Sequence, residues 1–152
     1  MLNRRERLFG RLILLLSLVI TPQVFAQDQE IANRRLLMGS NNDAVVKALV
    51  KAVKEKNYAE IQIKVKGVME NMDKVLDLFP KGSLSEKSRA KVEIWEKWDE
   101  FSKNPEIVKK AAQALADAAK AKDEEGVNTK LKALGDACNN CHRTFRGPRK
   151  SS

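Results

Sequence analysis

The spacing of apolar residues most constrains the fold of this chain, because they recur every three or four positions through most of the sequence. This spacing places them on one face of an α-helix, and no useful length shows the alternation of a half-buried strand. Lys, Glu, Ala and Leu, which favour helix, dominate, and only 5% of residues are aromatic. The sequence therefore predicts an all-α fold, and its 152 residues allow one domain with an appendage.

Four amphipathic helices with short links are predicted, and we expect them to pack as an antiparallel four-helix bundle. They run approximately over residues 28–55, 58–79, 104–121 and 123–143. Gly39-Ser-Asn-Asn42 weakens the first helix and permits a bend. Asn104 is expected to cap the third helix, with Pro105 at its first position. Four large side chains are interpreted as packing residues: Met69, Met72, Trp95 and Trp98.

The first 26 residues have the layout of a secretory signal peptide. Four Arg residues precede an apolar run at residues 12–20, Pro22 follows, and Val24-Phe-Ala26 presents small side chains to a signal peptidase. The run is far shorter than the roughly 20 residues that span a bilayer. We therefore expect cleavage after Ala26, export to the periplasm, no stable membrane insertion, and a mature domain of residues 27–152.

A moderate excess of basic residues is spread along the chain. The formal net charge is +9, and removing the four Arg and one Glu of residues 1–26 leaves +6. No nucleic-acid-binding motif accompanies this charge, so we expect no nucleic-acid partner. The excess suits an acidic protein partner, and solvated helix faces are the alternative explanation.

The motif Cys138-Asn-Asn-Cys141-His142 holds both cysteines and the only histidine of the chain. C-x-x-C-H is the attachment motif of haem c, in which two thiols add to the porphyrin vinyl groups and the His ligates iron. The three side chains fall within an arc of roughly 100° on one helix face. A disulfide, a dithiol and a metal site are the alternatives. A zinc site would lack a fourth ligand, and a thioredoxin-like dithiol would sit at a helix N-terminus.

With these features the chain resembles class II cytochromes c, the cytochrome c′ and cytochrome c-556 group. The resemblance covers nearly all of residues 28–148. It is carried by four stretches: Arg34-Arg-Leu-Leu-Met38, Phe79-Pro-x-Gly82-Ser83, Ile94-Trp95-x-x-Trp98-x-x-Phe101 and Cys138-x-x-Cys141-His142-x-x-Phe145-Arg146. It implies a cytochrome c′-like bundle with one haem c per chain.

The resemblance also implies roles for individual residues. The family places the residue at the second axial position four positions after an Arg of the first helix, and here Met38 follows Arg34 at that distance. His142 and Met38 would then be the axial ligands of the iron. Arg34 and Arg146 would pair with the haem propionates, with Arg35 as an alternative to Arg34.

The second axial position decides the implied function. Ser40-Asn41-Asn42 after Met38-Gly39 is closer to the c-556 branch, in which a Met closes the iron and the protein carries electrons. We therefore expect a one-electron carrier, not an enzyme, that serves a redox partner protein with an acidic surface. The alternative is a five-coordinate cytochrome c′ that binds NO or CO. Family members often form homodimers through the first two helices.

Overall fold

The structure is a computed structural model that describes residues 22–148, so residues 1–21 of the predicted signal peptide lie outside the described residues. The elements are α1 (Pro22–Asn42), a π-helical segment (Asp43–Ala48), α2 (Leu49–Lys54), α3 (Tyr58–Lys74), a 3₁₀ turn (Leu76–Leu78), α4 (Glu93–Glu96), α5 (Trp98–Phe101), α6 (Asn104–Ala121) and α7 (Glu124–Phe145). Within 22–148 there is no strand, and only an isolated bridge joins Ala90 to Arg146. The predicted all-α bundle is confirmed. None of the described helices combines the length and the apolar character needed to cross a membrane.

The first long helix consists of α1, the π segment and α2, which follow one another without a break. Its described part already includes Pro22 and thus extends before the predicted start near residue 28. The predicted weak point at Gly39–Asn42 does not end the helix. The π geometry starts directly after it, at Asp43.

Packing of the four long helices buries one apolar core. α6 packs against both α3 and α7, and α2 packs against α3 and α7. The largest fully buried side chains of this core include Leu49, Ile61, Leu115 and Leu134. Met72 is buried and Met69 packs partly buried against the core, so their predicted packing role is confirmed.

The helix starts follow local hydrogen bonding. The predicted start of the fourth helix near residue 123 is confirmed, and the structure shows that Asp123 caps α7, because its Oδ1 accepts a hydrogen bond from the N–H of Gly126 at 2.9 Å. The capping role predicted for Asn104 is wrong, because Asn104 is already helical. Its Nδ2 donates instead to the carbonyl oxygens of Glu100 and Phe101, at 2.9 and 3.0 Å. These carbonyls at the end of α5 lie within reach and lack helical partners.

Residues 80–92, which lie between the 3₁₀ turn and α4, form a segment called here the covering loop. Gln27 at the start of the predicted mature chain donates from Nε2 to the carbonyl oxygen of Gly82 at 3.1 Å. At its other end, the carbonyl oxygen of Arg89 accepts from the N–H of Gly147 at 2.7 Å. The loop is thereby tied to both α1 and the end of α7.

An aromatic cluster closes the bundle beside this loop. The Phe101 ring lies 4.9 Å from Phe79 and 5.2 Å from Phe145, and both pairs are edge-to-face. Trp98 packs on Phe101 at 5.6 Å, and Trp95 donates its Nε1–H to the carbonyl oxygen of Phe79 at 3.1 Å. The predicted packing role is confirmed for Trp95, which packs partly buried against the core, whereas Trp98 is 37% exposed and contacts the Phe101 ring.

Candidate functional site

The motif residues lie in the last turns of α7. Val127, Leu134 and Ala137 bury one face of that helix and so fix which face the motif presents. Cys138 and Cys141 are half-buried, and neither forms a disulfide. His142, also half-buried, follows on the same side of the helix.

These three side chains line a cleft with two adjoining cavities of about 590 and 170 Å³. The larger falls within the range of about 300–1,000 Å³ that is typical of cofactor clefts. Cys141 and His142 line both cavities, and so does Met38 of α1. The fold thus brings the predicted axial pair, about a hundred positions apart in sequence, to one cleft. Arg146, the other predicted propionate partner, also lines both cavities.

The walls of the cleft hold the motif side chains uncharged. Burial, followed by the neighbouring Cys138, raises the pKa of Cys141 to about 11. Burial also raises the pKa of Cys138. The pKa of His142 falls to about 4, chiefly because of burial and then because of the nearby Arg146 and Arg89. His142 is therefore neutral near pH 7, which is the form of imidazole that ligates a metal.

Arg34 is a buried cation on the wall of the larger cavity. It is 4% exposed, and its Nη2 donates to the Oγ and carbonyl oxygen of Ser83 at 2.6 and 3.1 Å. Its guanidinium carbon lies 4.4 Å from the centre of the Phe79 ring, and burial lowers its pKa. Nε and Nη1 have no hydrogen-bond partner among the described residues. A guanidinium with unpaired N–H groups suits a carboxylate ligand. Arg35, the alternative to Arg34, lines the same cavity but is exposed.

The larger cavity has a basic rim, which sequence reasoning identified only in part. Arg34, Arg35 and Arg146 line it together with Lys87 and Arg89 from the covering loop, and Glu86 is the one acid on that wall within the described chain. No local pattern marks Lys87 and Arg89 as site residues, because only the tertiary position of the loop brings them there. The lining of the smaller cavity includes four apolar side chains, Val45, Met72, Val75 and Val108.

The residues of the cleft fit a covalently attached haem. Two thiols in adjacent turns precede a neutral imidazole, and the cleft matches a porphyrin that is apolar at one edge and carries carboxylates at the other. The raised pKa of both thiols opposes a redox dithiol, which needs a thiolate. Nowhere in residues 22–148 do three His, Cys, Asp or Glu side chains cluster as a metal site would require.

Comparison with known proteins points to one family. A family model described as Cytochrome C′ matches residues 29–146. A cytochrome c′ of Pararhodospirillum photometricum is 41% identical over 76 residues, which are 49% of this chain and 61% of that protein. The chain thus spans about three-fifths of the length of that relative. A cytochrome c-556 of Agrobacterium tumefaciens is 33% identical over 104 residues, 65% of this chain and 80% of that protein.

A solved structure similar to this chain is a cytochrome c′ whose dimer dissociation is described as ligand-controlled. It has a TM-score of 0.72 and 21% identity, and the alignment covers 80% of this chain and 97% of that one. At this identity the likeness shows the four-helix fold alone. With the family match over most of the sequence, the chain belongs to the cytochrome c′ family, whose members carry covalently attached haem c.

Proposed function

We propose that this protein is a one-electron carrier whose haem is attached through Cys138 and Cys141 and whose iron is ligated by His142 and Met38. The observation that carries the proposal is that Met38 and His142 line both cavities of one cleft from different helices. When bound, the haem supplies a couple between ferric and ferrous iron. The protein makes and breaks no substrate bond in this role.

Met38 decides between a carrier and a ligand-binding protein. Its thioether is soft and neutral, so it would favour the reduced iron and close that side to other ligands. Arg34 and Arg146 would hold the propionates, because both line the larger cavity and two buried nitrogens of Arg34 have no partner among the described residues. The relation to cytochrome c-556 supports this assignment.

We propose that residues 1–26 are cleaved as a signal peptide and that residues 27–152 act in the periplasm. Haem attachment to the motif cysteines is compatible with an oxidising compartment, in which thiols otherwise form disulfides. Gln27 would then be the first residue, and its contact with the covering loop would tie down the new N-terminus. Mass spectrometry of the exported protein tests this boundary.

The acidic partner is proposed to dock at the basic side of the cleft. Arg89, Arg143 and Arg146 surround His142 there, and Arg143 and Arg146 are exposed. The association rate should fall as ionic strength rises. Arg143→Gln should slow association at low salt, whereas Lys66→Gln on the exposed face of α3 should not. An association rate that does not change with ionic strength would contradict this docking mode.

The alternative function is a five-coordinate protein that binds NO or CO. The relation to the cytochrome c′ of Pararhodospirillum photometricum supports it, and a Met38 that only packs in the cleft would favour it further. A homodimer is also proposed, because α2 and α3 expose Val50 and Ile63, at 50% and 63%. Sedimentation of the haem-loaded protein measures its oligomeric state directly.

The ligand set is tested with two Met→Ala variants of the same cleft. Met38→Ala should turn the visible spectrum from low-spin to high-spin and admit CO, because it removes the sulfur ligand. Met72→Ala is the matched control, since Met72 is a buried thioether that lines only the smaller cavity. It should stay low-spin. An unchanged low-spin spectrum for Met38→Ala would exclude Met38 as the ligand.

A further inference from the structure

Asn41 is a buried polar residue that the proposed function leaves without a role. It is 7% exposed, and it lines the smaller cavity three residues after Met38. Its Oδ1 accepts a hydrogen bond from Nδ2 of Asn71 on α3 at 2.8 Å. Its own Nδ2 is buried and has no partner within residues 22–148. Because buried amide donors are nearly always paired, this one indicates a partner outside the chain.

The contact with Asn71 fixes the direction of this donor. Asn41 and Asn71 together line a surface groove between α1 and α3, whereas Asn41 without Asn71 lines the smaller cavity. The oxygen and nitrogen of an amide diverge from its carbon and therefore point in different directions. Since the oxygen of Asn41 accepts from Asn71, its nitrogen points away from the Asn71 side chain.

The apolar residues around Asn41 make a hydrogen bond from its side-chain N–H stronger. Val45, Met72 and Val75 line the same cavity and give it apolar walls, where a hydrogen bond is stronger than in water. The π segment starts two residues after Asn41, at Asp43, and π-helical turns are frequent at functional sites. Met38 and Asn41 are three positions apart and therefore share one face of α1.

We propose that Asn41 is the hydrogen-bond donor of the Met38 side of the cleft and stabilises a small polar or anionic ligand bound there. Donors on the second side of a haem help to decide how strongly it binds such ligands. Met38 excludes these ligands while it holds the iron, so Asn41 acts when Met38 is displaced or removed. The inference rests on the proposed function only in taking the Met38 side as the second face of the iron.

Azide binding to the ferric, haem-loaded Met38→Ala protein tests this role. Adding Asn41→Leu should raise the azide dissociation constant about tenfold, because one hydrogen bond to an anion is lost. Asn42→Leu is the matched control. Asn42 is exposed, lines both cavities and carries the same amide, so its replacement should change the constant by less than about twofold.

A vibrational readout separates donation from packing. In the ferrous CO complex of Met38→Ala, Asn41→Leu should move the CO stretching band to higher wavenumber, whereas Asn42→Leu should leave it in place. Equal azide constants with and without Asn41, or equal changes at Asn41 and Asn42, would overturn the inference. If Asn41→Leu loads haem poorly, Asn41→Ala provides the same comparison.

The test of Asn41 as a hydrogen-bond donor can succeed or fail independently of the test of the electron-carrier function. A wild-type protein that is already high-spin would refute ligation by Met38 and hence the proposed function. The azide comparison would then be made with Met38 in place. The ratio of the dissociation constants with and without the Asn41 amide would still decide its role.

Discussion

Replacing Arg34 with Gln should destabilise the protein by about 2–3 kcal/mol. The substitution removes the hydrogen bonds from Nη2 to Ser83 and the contact with the Phe79 ring. Hydrogen bonds from a charged group contribute about 1.5–3 kcal/mol, and a desolvated cation–π contact contributes about 2 kcal/mol. These contributions sum to about 3.5–5 kcal/mol. Removing the buried cation recovers the cost of its desolvation, which also lowers its pKa, so we expect a net loss below that sum, of about 2–3 kcal/mol.

Urea unfolding of the haem-loaded protein, followed by far-ultraviolet circular dichroism, measures this loss. Arg35→Gln is the matched control, because Arg35 is the exposed neighbour and should change stability by no more than about 0.5 kcal/mol. Combining Arg34→Gln with Ser83→Ala should give a coupling energy of about 1 kcal/mol. Equal losses at Arg34 and Arg35 would refute the reasoning, since burial would then not distinguish the two cations.

Three further predictions concern the core, the start of α7 and the attachment motif. Leu134→Ala should lower the free energy of unfolding by about 2–5 kcal/mol, while the exposed Leu36→Ala should change it by under about 0.5 kcal/mol. Asp123→Ala should cost about 1 kcal/mol in the same assay because it removes the cap of α7, and an unchanged midpoint would contradict that role. Replacing Cys138 and Cys141 together with Ser should leave no pigment on the chain after acid–acetone extraction. Retained colour would contradict thioether attachment.

The helix boundaries that the sequence predicts best are those set by residues next to the boundary itself. The Pro105 backbone favours the first turn of α6, and the Asp123 side chain caps the first turn of α7. The capping role predicted for Asn104 is wrong because its side chain hydrogen-bonds to the preceding short helix, α5. The sequence does not show where α5 ends. Helix periodicity likewise predicted that Cys138 and Cys141 share a face, since the relation is internal to one element.

The rest of the site depends on tertiary placement. The family resemblance implies a propionate-binding role for Arg34, but its burial results from the covering loop, which brings Ser83 against α1. The same loop contributes Arg89, which no sequence pattern marked. In the sequence, Asn41 is only part of a predicted weak point in the first helix. Its unpaired Nδ2 is visible only in the structure, where Asn71 on α3 donates to the Oδ1 of the same amide.

The visible spectrum of the purified, exported protein, recorded in both oxidation states with and without CO, tests the central claim most directly. With Met38 and His142 on the iron, the spectrum should be low-spin in both states and CO should leave the ferrous spectrum nearly unchanged. A high-spin spectrum with rapid uptake of CO would contradict the carrier assignment and support a protein that binds diatomic gases.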